Sequence, residues 1–196
     1  MNYGGIDMSS MNKTNSIAKA NLSVKVQTMA TIVAIVSAVA LPQIMHLIGR
    51  ATGMGNAFGE LLLPMHLPIL LVGLLAGSFA GAVSGLLGPL CSFALSGMPA
   101  VAVLPFMMIE LCSYGVVAGL LRKSSVPTVV KVFAAQVAGR VCRAVAVAVA
   151  FYVLGATEIA VASVWTGTVK GVTGIAIQLI LLPIIVMAVE KMSAHE

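Results

Sequence analysis

The chain has 196 residues, 60% of them hydrophobic and 9% charged, with a mean hydropathy of +1.08; these values exclude an ordinary soluble domain and point to one compact membrane domain. Eleven basic residues against six acidic ones give a net charge of +5. No dense basic patch with interleaved aromatic residues accompanies it, which sets nucleic acid aside. Cys91, Cys112 and Cys142 fall in separate apolar runs without a CxxC spacing and read as small buried hydrophobes.

Residues 1–23 are polar and read as a flexible cytoplasmic tail; the first apolar run follows Lys25 and is long enough to be a span rather than the core of a signal peptide. That span is predicted over residues 24–41, with a stop at Pro42. Inside it Ala30, Ala34 and Ala38 recur every four residues, which places three methyl-sized side chains on one helix face; a generic packing face within the bundle is the plain reading. Residues 43–59 are less apolar, carry His46, Arg50 and Asn56, and read as a long loop.

From Glu60 to Leu121 there is no Lys or Arg. At about 1.5 Å per residue a single helix from Pro64 to Ser96 would far exceed a hydrocarbon layer of about 30 Å, so the chain must reverse. The expected turn is Gly77-Ser78-Phe79-Ala80-Gly81, within a ladder of Gly73, Gly77, Gly81 and Gly85 that signals close helix packing in lipid. A second break falls at Ser96-Gly97-Met98-Pro99, and a helix resumes after Pro105. The remaining spans are predicted at residues 64–76, 80–95, 103–121, 127–154 and 170–189, giving an all-α membrane protein with a bundle of six transmembrane helices in one domain, residues 24–191, followed by a short tail at 192–196. Basic residues concentrate in the N-terminal tail (Lys13, Lys19, Lys25), in the fourth-to-fifth connection (Arg122, Lys123, Lys131) and at Lys191, which places both termini in the cytoplasm. The connections at 43–63, 96–102 and 155–169 then face outward.

Ionisable groups at membrane depth are costly and tend to face a bundle interior or a wet cavity. Glu110, Arg140 and Arg143 are such groups, and Gln136, Arg140 and Arg143 share one face of the fifth helix. A salt bridge between neighbouring helices is one reading. One carboxylate does not neutralise two guanidinium groups, however, and the second reading gives one arginine to an anionic ligand while Glu110 holds the other; a third lets one arginine reach water or a partner subunit. Tyr114 lies one turn after Glu110. His66, Lys170 and Gln178 complete the polar set, and Trp165 is either an interfacial anchor or a wall of the pocket.

No phosphate loop, HExxH or GxSxG motif is present, and Asp7 is the sole aspartate, so neither ATP binding nor catalysis is expected, nor a metal or cofactor. The stretch Leu63-Pro64-Met65-His66-Leu67-Pro68, the glycine ladder, Ser96-Gly97-Met98-Pro99 and Met108-Ile109-Glu110-Leu111-Cys112-Ser113-Tyr114-Gly115, with Ala138-Gly139-Arg140 and Gly174-Ile175-Ala176-Ile177-Gln178-Leu179 further on, resemble the substrate-binding (S) component of energy-coupling factor transporters, the vitamin importers of bacterial and archaeal plasma membranes. The resemblance implies a capture subunit for a small water-soluble vitamin, docked on a transmembrane coupling (T) subunit that carries two ATPase subunits. It implies further that Ala30, Ala34 and Ala38 form the partner surface, that Arg50 and Asn56 belong to a lid over the ligand, and that His66 contacts it. The buried positive excess favours an anion such as pantothenate, with a pyrimidine or pyridine vitamin precursor next. A stand-alone secondary transporter and a non-transporting scaffold with a solid interior are the rival classes.

Overall fold

The computed structural model describes residues 22–193, apart from residue 56 and residues 156–166. Its helices are α1 (Val24–Ala51), α2 (Ala57–Leu62), α3 (His66–Ala76), α4 (Ser78–Ser96), α5 (Leu104–Leu121), α6 (Thr128–Tyr152) and α7 (Val172–Ser193). Among the described residues five helices, all but α2 and α3, are long and apolar enough to cross a membrane.

α3 is the axis of the bundle. Its sequence, HLPILLVGLLA, is apolar on all sides, as expected of a helix surrounded by others. Ile69, Leu70 and Leu74 pack with Ala38 of α1, Leu111, Tyr114 and Ala118 of α5, Val132 and Ala135 of α6, and Leu182 and Val186 of α7. At 11 residues it is about 16 Å long, half the hydrocarbon thickness. The second predicted span is thus a helix that by length alone does not cross.

The chain reverses after α3 at one residue rather than five. Gly77 has φ 104° and ψ 178°, a conformation that L side chains rarely adopt, and its N–H still bonds the Gly73 carbonyl at 3.0 Å before α4 begins at Ser78. The other members of the glycine ladder serve contact. A Cβ on Gly73 would stand 2.7 Å from the Gly115 carbonyl of α5, one on Gly81 would overlap the Gly115 backbone, and one on Gly85 would overlap the Leu111 carbonyl. α4 and α5 therefore touch backbone to backbone, the geometry small residues give helices in lipid.

The first helix departs from expectation. α1 does not stop at Pro42 but continues nine residues further, so that most of the predicted 43–59 loop is helical, in α1 or α2. Proline removes one hydrogen bond, but a chain in apolar surroundings that left the helix would strand many more. At its start the Ser23 hydroxyl accepts from the Val26 amide, and at its end the Thr52 hydroxyl donates to the Ile48 carbonyl at 2.9 Å.

Candidate functional site

A cavity of about 460 Å³ opens at the end of the bundle where α1 finishes and α3 begins. This is within the usual range for a small-molecule site. Pro42, Gln43 and His46 of α1 line one side, and the α2–α3 junction supplies Leu63, Pro64, Met65 and then His66. Met98, Pro99 and Ala100 follow from the α4–α5 connection, Val103, Met107 and Glu110 from the α5 side, Arg140 and Arg143 from α6, and Gly167 and Lys170 from the turn of helix before α7.

The charged wall is built by helical spacing. Glu110 is fully buried on α5, and Tyr114, four residues later on the same face, donates its hydroxyl to Glu110 Oε1 at 2.7 Å. The Tyr114 ring has room because Gly139 of α6 faces it; a Cβ there would overlap ring atoms Cδ1 and Cε1 and stand 2.8 Å from the Glu110 carbonyl. One residue further along α6 lies Arg140, and a turn further Arg143, whose Nη1 donates to Glu110 Oε2 at 2.8 Å.

Each carboxylate oxygen of Glu110 is thus committed, one to Arg143 and one to Tyr114. Arg140 Nη1 stands 3.8 Å from Oε1, beyond hydrogen-bond reach, and donates instead to Thr168 Oγ1 at 3.0 Å. These three groups carry one negative and two positive charges, a formal surplus of one centred on Arg140, and Lys170 adds a further positive charge to the cavity wall. The arginine side chains are 15% and 19% exposed, against 1% for Glu110. Their Nε atoms are enclosed without a partner among the described residues, so the guanidinium ends are what an incoming ligand meets.

His66 is buried at the first position of α3, in tilted contact with Tyr114 at 5.4 Å between ring centroids, and its Nδ1 lacks a hydrogen-bond partner among the described residues. His66, Glu110, Arg140, Arg143 and Lys170, all expected at the site, converge on the cavity. Tyr114 stands behind Glu110 and does not line it. Gln178 does not line it either: it lies deeper, where it accepts from Gln136 Nε2 at 2.9 Å and donates to the Leu63 carbonyl at 3.1 Å. Arg50 is exposed in the last turn of α1, outside the lining residues, because the expected lid loop is helical there. Asn56 and Trp165 lie outside the described residues.

The alanine face of α1 points inward. Ala34 packs with Val72, Ala76 and Ala80, Ala38 is fully buried 3.2 Å from where a Gly88 Cβ would sit, and Ala30 is half-buried beside the first group. In this arrangement both are in contacts within the chain, which agrees with the plain packing reading of their spacing. The same four-residue step continues through Pro42 to His46, both on the cavity wall. Extending the period past the proline is the signal by which His46 could have been found. Met98 and Met107 carry no such signal, since an apolar wall has no motif.

No curated protein and no solved structure matches the chain. The family model of the ECF transporter, substrate-specific component, matches residues 27–186, from the first turn of α1 to the second half of α7. That stretch includes every described residue of the cavity wall and most of the chain, and the chain belongs to the ECF transporter substrate-specific component family.

Proposed function

We propose that this subunit captures a small, water-soluble anionic vitamin or precursor through Arg140, with pantothenate the favoured ligand and a pyrimidine or pyridine precursor next. The observation that carries the proposal is the committed state of Glu110: both oxygens are engaged, and the second guanidinium on the cavity wall, bonded to the neutral Thr168 hydroxyl, has no carboxylate within hydrogen-bond reach among the described residues. A carboxylate is the fitting acceptor, since it takes two parallel N–H bonds from one guanidinium. Met65, Met98, Val103 and Met107 give the rest of the chamber an apolar lining suited to a methyl-bearing body. A scaffold with a solid interior, one rival class, has no place for a cavity of about 460 Å³.

Both termini lie in the cytoplasm in this proposal and the cavity faces outward. Supporting it, the cavity lies at the opposite end of the helices from Val24, Arg122, Lys123 and Ser193. Delivery follows by docking on a transmembrane coupling subunit and its two ATPases. The side of α1 that carries Met29, Ile32, Val33 and Val36 is exposed and next to Ala30, and it is the part of α1 offered for that contact.

Titration of the purified protein with pantothenate, and with pantothenol as the analogue lacking the carboxylate, tests the reading. Binding of pantothenate with at least tenfold preference over pantothenol is expected, since a hydrogen-bonded charge contributes about 1.5–3 kcal/mol and 1.4 kcal/mol is a factor of ten. Arg140→Ala should abolish that preference while the melting temperature stays near wild type. Arg143→Ala should lower both, because Glu110 then recruits Arg140. Undiminished preference for the acid in Arg140→Ala removes Arg140 from the site.

A further inference from the structure

The α2–α3 junction is held from outside the cavity by two amides. Leu63 has φ 49°, the left-handed region that a branched side chain does not adopt without support. Its carbonyl accepts two bonds at 3.1 Å each, one from the backbone N–H of His66 and one from Gln178 Nε2 on α7. A carbonyl only accepts, so the Gln178 amide is oriented with its nitrogen toward Leu63, and its oxygen then requires a donor. Gln136 of α6 supplies it through Nε2 at 2.9 Å, and Gln136 Oε1 is left without a partner among the described residues. Both glutamines are buried, at 4% and 1% exposure.

The junction is also pressed against the start of α7. A Cβ on Gly174 would stand 2.7 Å from the Leu61 carbonyl, and one on Gly171 would stand 2.8 Å from the Leu63 side chain. No side chain at Gly171 or Gly174 stands between the two, so Gln178 is the α7 side chain that bonds the Leu63 carbonyl, beside the local bond from the His66 N–H.

We propose that Gln136 and Gln178 are positioning residues that fix the Leu63 to His66 wall of the cavity from behind, with the Leu63 carbonyl as the shared point through which α6 and α7 set the placement of His66. Neither glutamine lines the cavity. The proposal gives a role in the substrate site to two residues outside it, and it rests on the reading of the cavity as that site.

The test leaves ligand out, so that it is independent of which vitamin binds. Gln178→Met and Gln136→Met keep chain length and remove the amides. Backbone hydrogen exchange of residues 57–66, followed by mass spectrometry, is expected to accelerate at least tenfold in Gln178→Met and by less in Gln136→Met, with the double variant no faster than Gln178→Met alone. Exchange across residues 80–95 should stay at the wild-type rate. The imidazole resonance of His66, assigned by its loss in His66→Asn, should shift in both single variants. Equal acceleration in both segments, or an unmoved His66 resonance, overturns the proposal and reduces the pair to packing. A wild-type protein that fails to bind pantothenate bears only on the proposed function.

Discussion

Glu110→Ala is expected to cost the fold rather than only the ligand. The carboxylate is the counter-charge for Arg143 at 2.8 Å and Arg140 at 3.8 Å, and it accepts the buried Tyr114 hydroxyl at 2.7 Å. Its removal leaves two guanidinium groups and a phenol facing one another within the bundle. Breaking a buried ion pair by deleting one partner costs about 3–5 kcal/mol, a large part of the roughly 5–15 kcal/mol that keeps a protein folded. The expected result is a sharp fall in the yield of monodisperse protein and a melting temperature lowered by about 6–20 °C, at about 2–4 °C per kcal/mol for a chain of this size. Adding Arg143→Met to Glu110→Ala should recover a good part of the loss, because the stranded charge is then gone. A Glu110→Ala protein that melts with the wild type would show that the arginines find solvent and that the carboxylate is dispensable.

The second large effect is expected at Gly115. Its hydrogen side meets the Gly81 backbone so closely that a Cβ would overlap the Gly81 carbonyl carbon and oxygen. A clash with a flexible side-chain tip relaxes by rotation, whereas this one requires α4 and α5 to separate along their length. Overpacking a core commonly costs 1–3 kcal/mol, and Gly115→Ala should lie at or above the upper end. Gly88→Ala provides the scale, since its Cβ would meet only side-chain atoms, the Ala38 methyl at 3.2 Å and Ile69 Cδ1 at 3.7 Å. Thermal melts of the two variants should therefore rank with Gly115→Ala clearly lower. Equal melting temperatures would mean that the α4–α5 contact is looser than described.

These two sites also show what could be read from the residues. The glycine ladder was legible because four-residue spacing of the smallest side chain has one physical use in a membrane helix, and Gly77 and Gly97 were legible as breaks for the same reason that they take positive φ, 104° and 69°. Glu110 and the arginines stood out because charge is rare at that depth. Spacing, however, fixes which face a residue is on and not what lies opposite. The spacing of Ala34 and Ala38 suits a packing face and a partner surface alike, and in the fold they face α3 and α4; Gln178 belongs to the polar set by sequence, and in the fold it meets Gln136 and Leu63. The stop at Pro42 failed because the rule reflects helices whose freed groups find water, which an apolar setting withholds.

The shortness of α3 has a consequence for what the bundle can hold. A helix of about 16 Å in a layer of about 30 Å leaves roughly two and a half turns of that thickness unspanned by α3, and His66, its first residue, lies on the cavity wall. On the proposed function, a captured molecule would fill part of that length and meet the cavity residues of α1, α5 and α6. Loading should stiffen the outer half of the protein as an additional piece of helix would, with thermal stability rising as RT ln(1 + [L]/Kd).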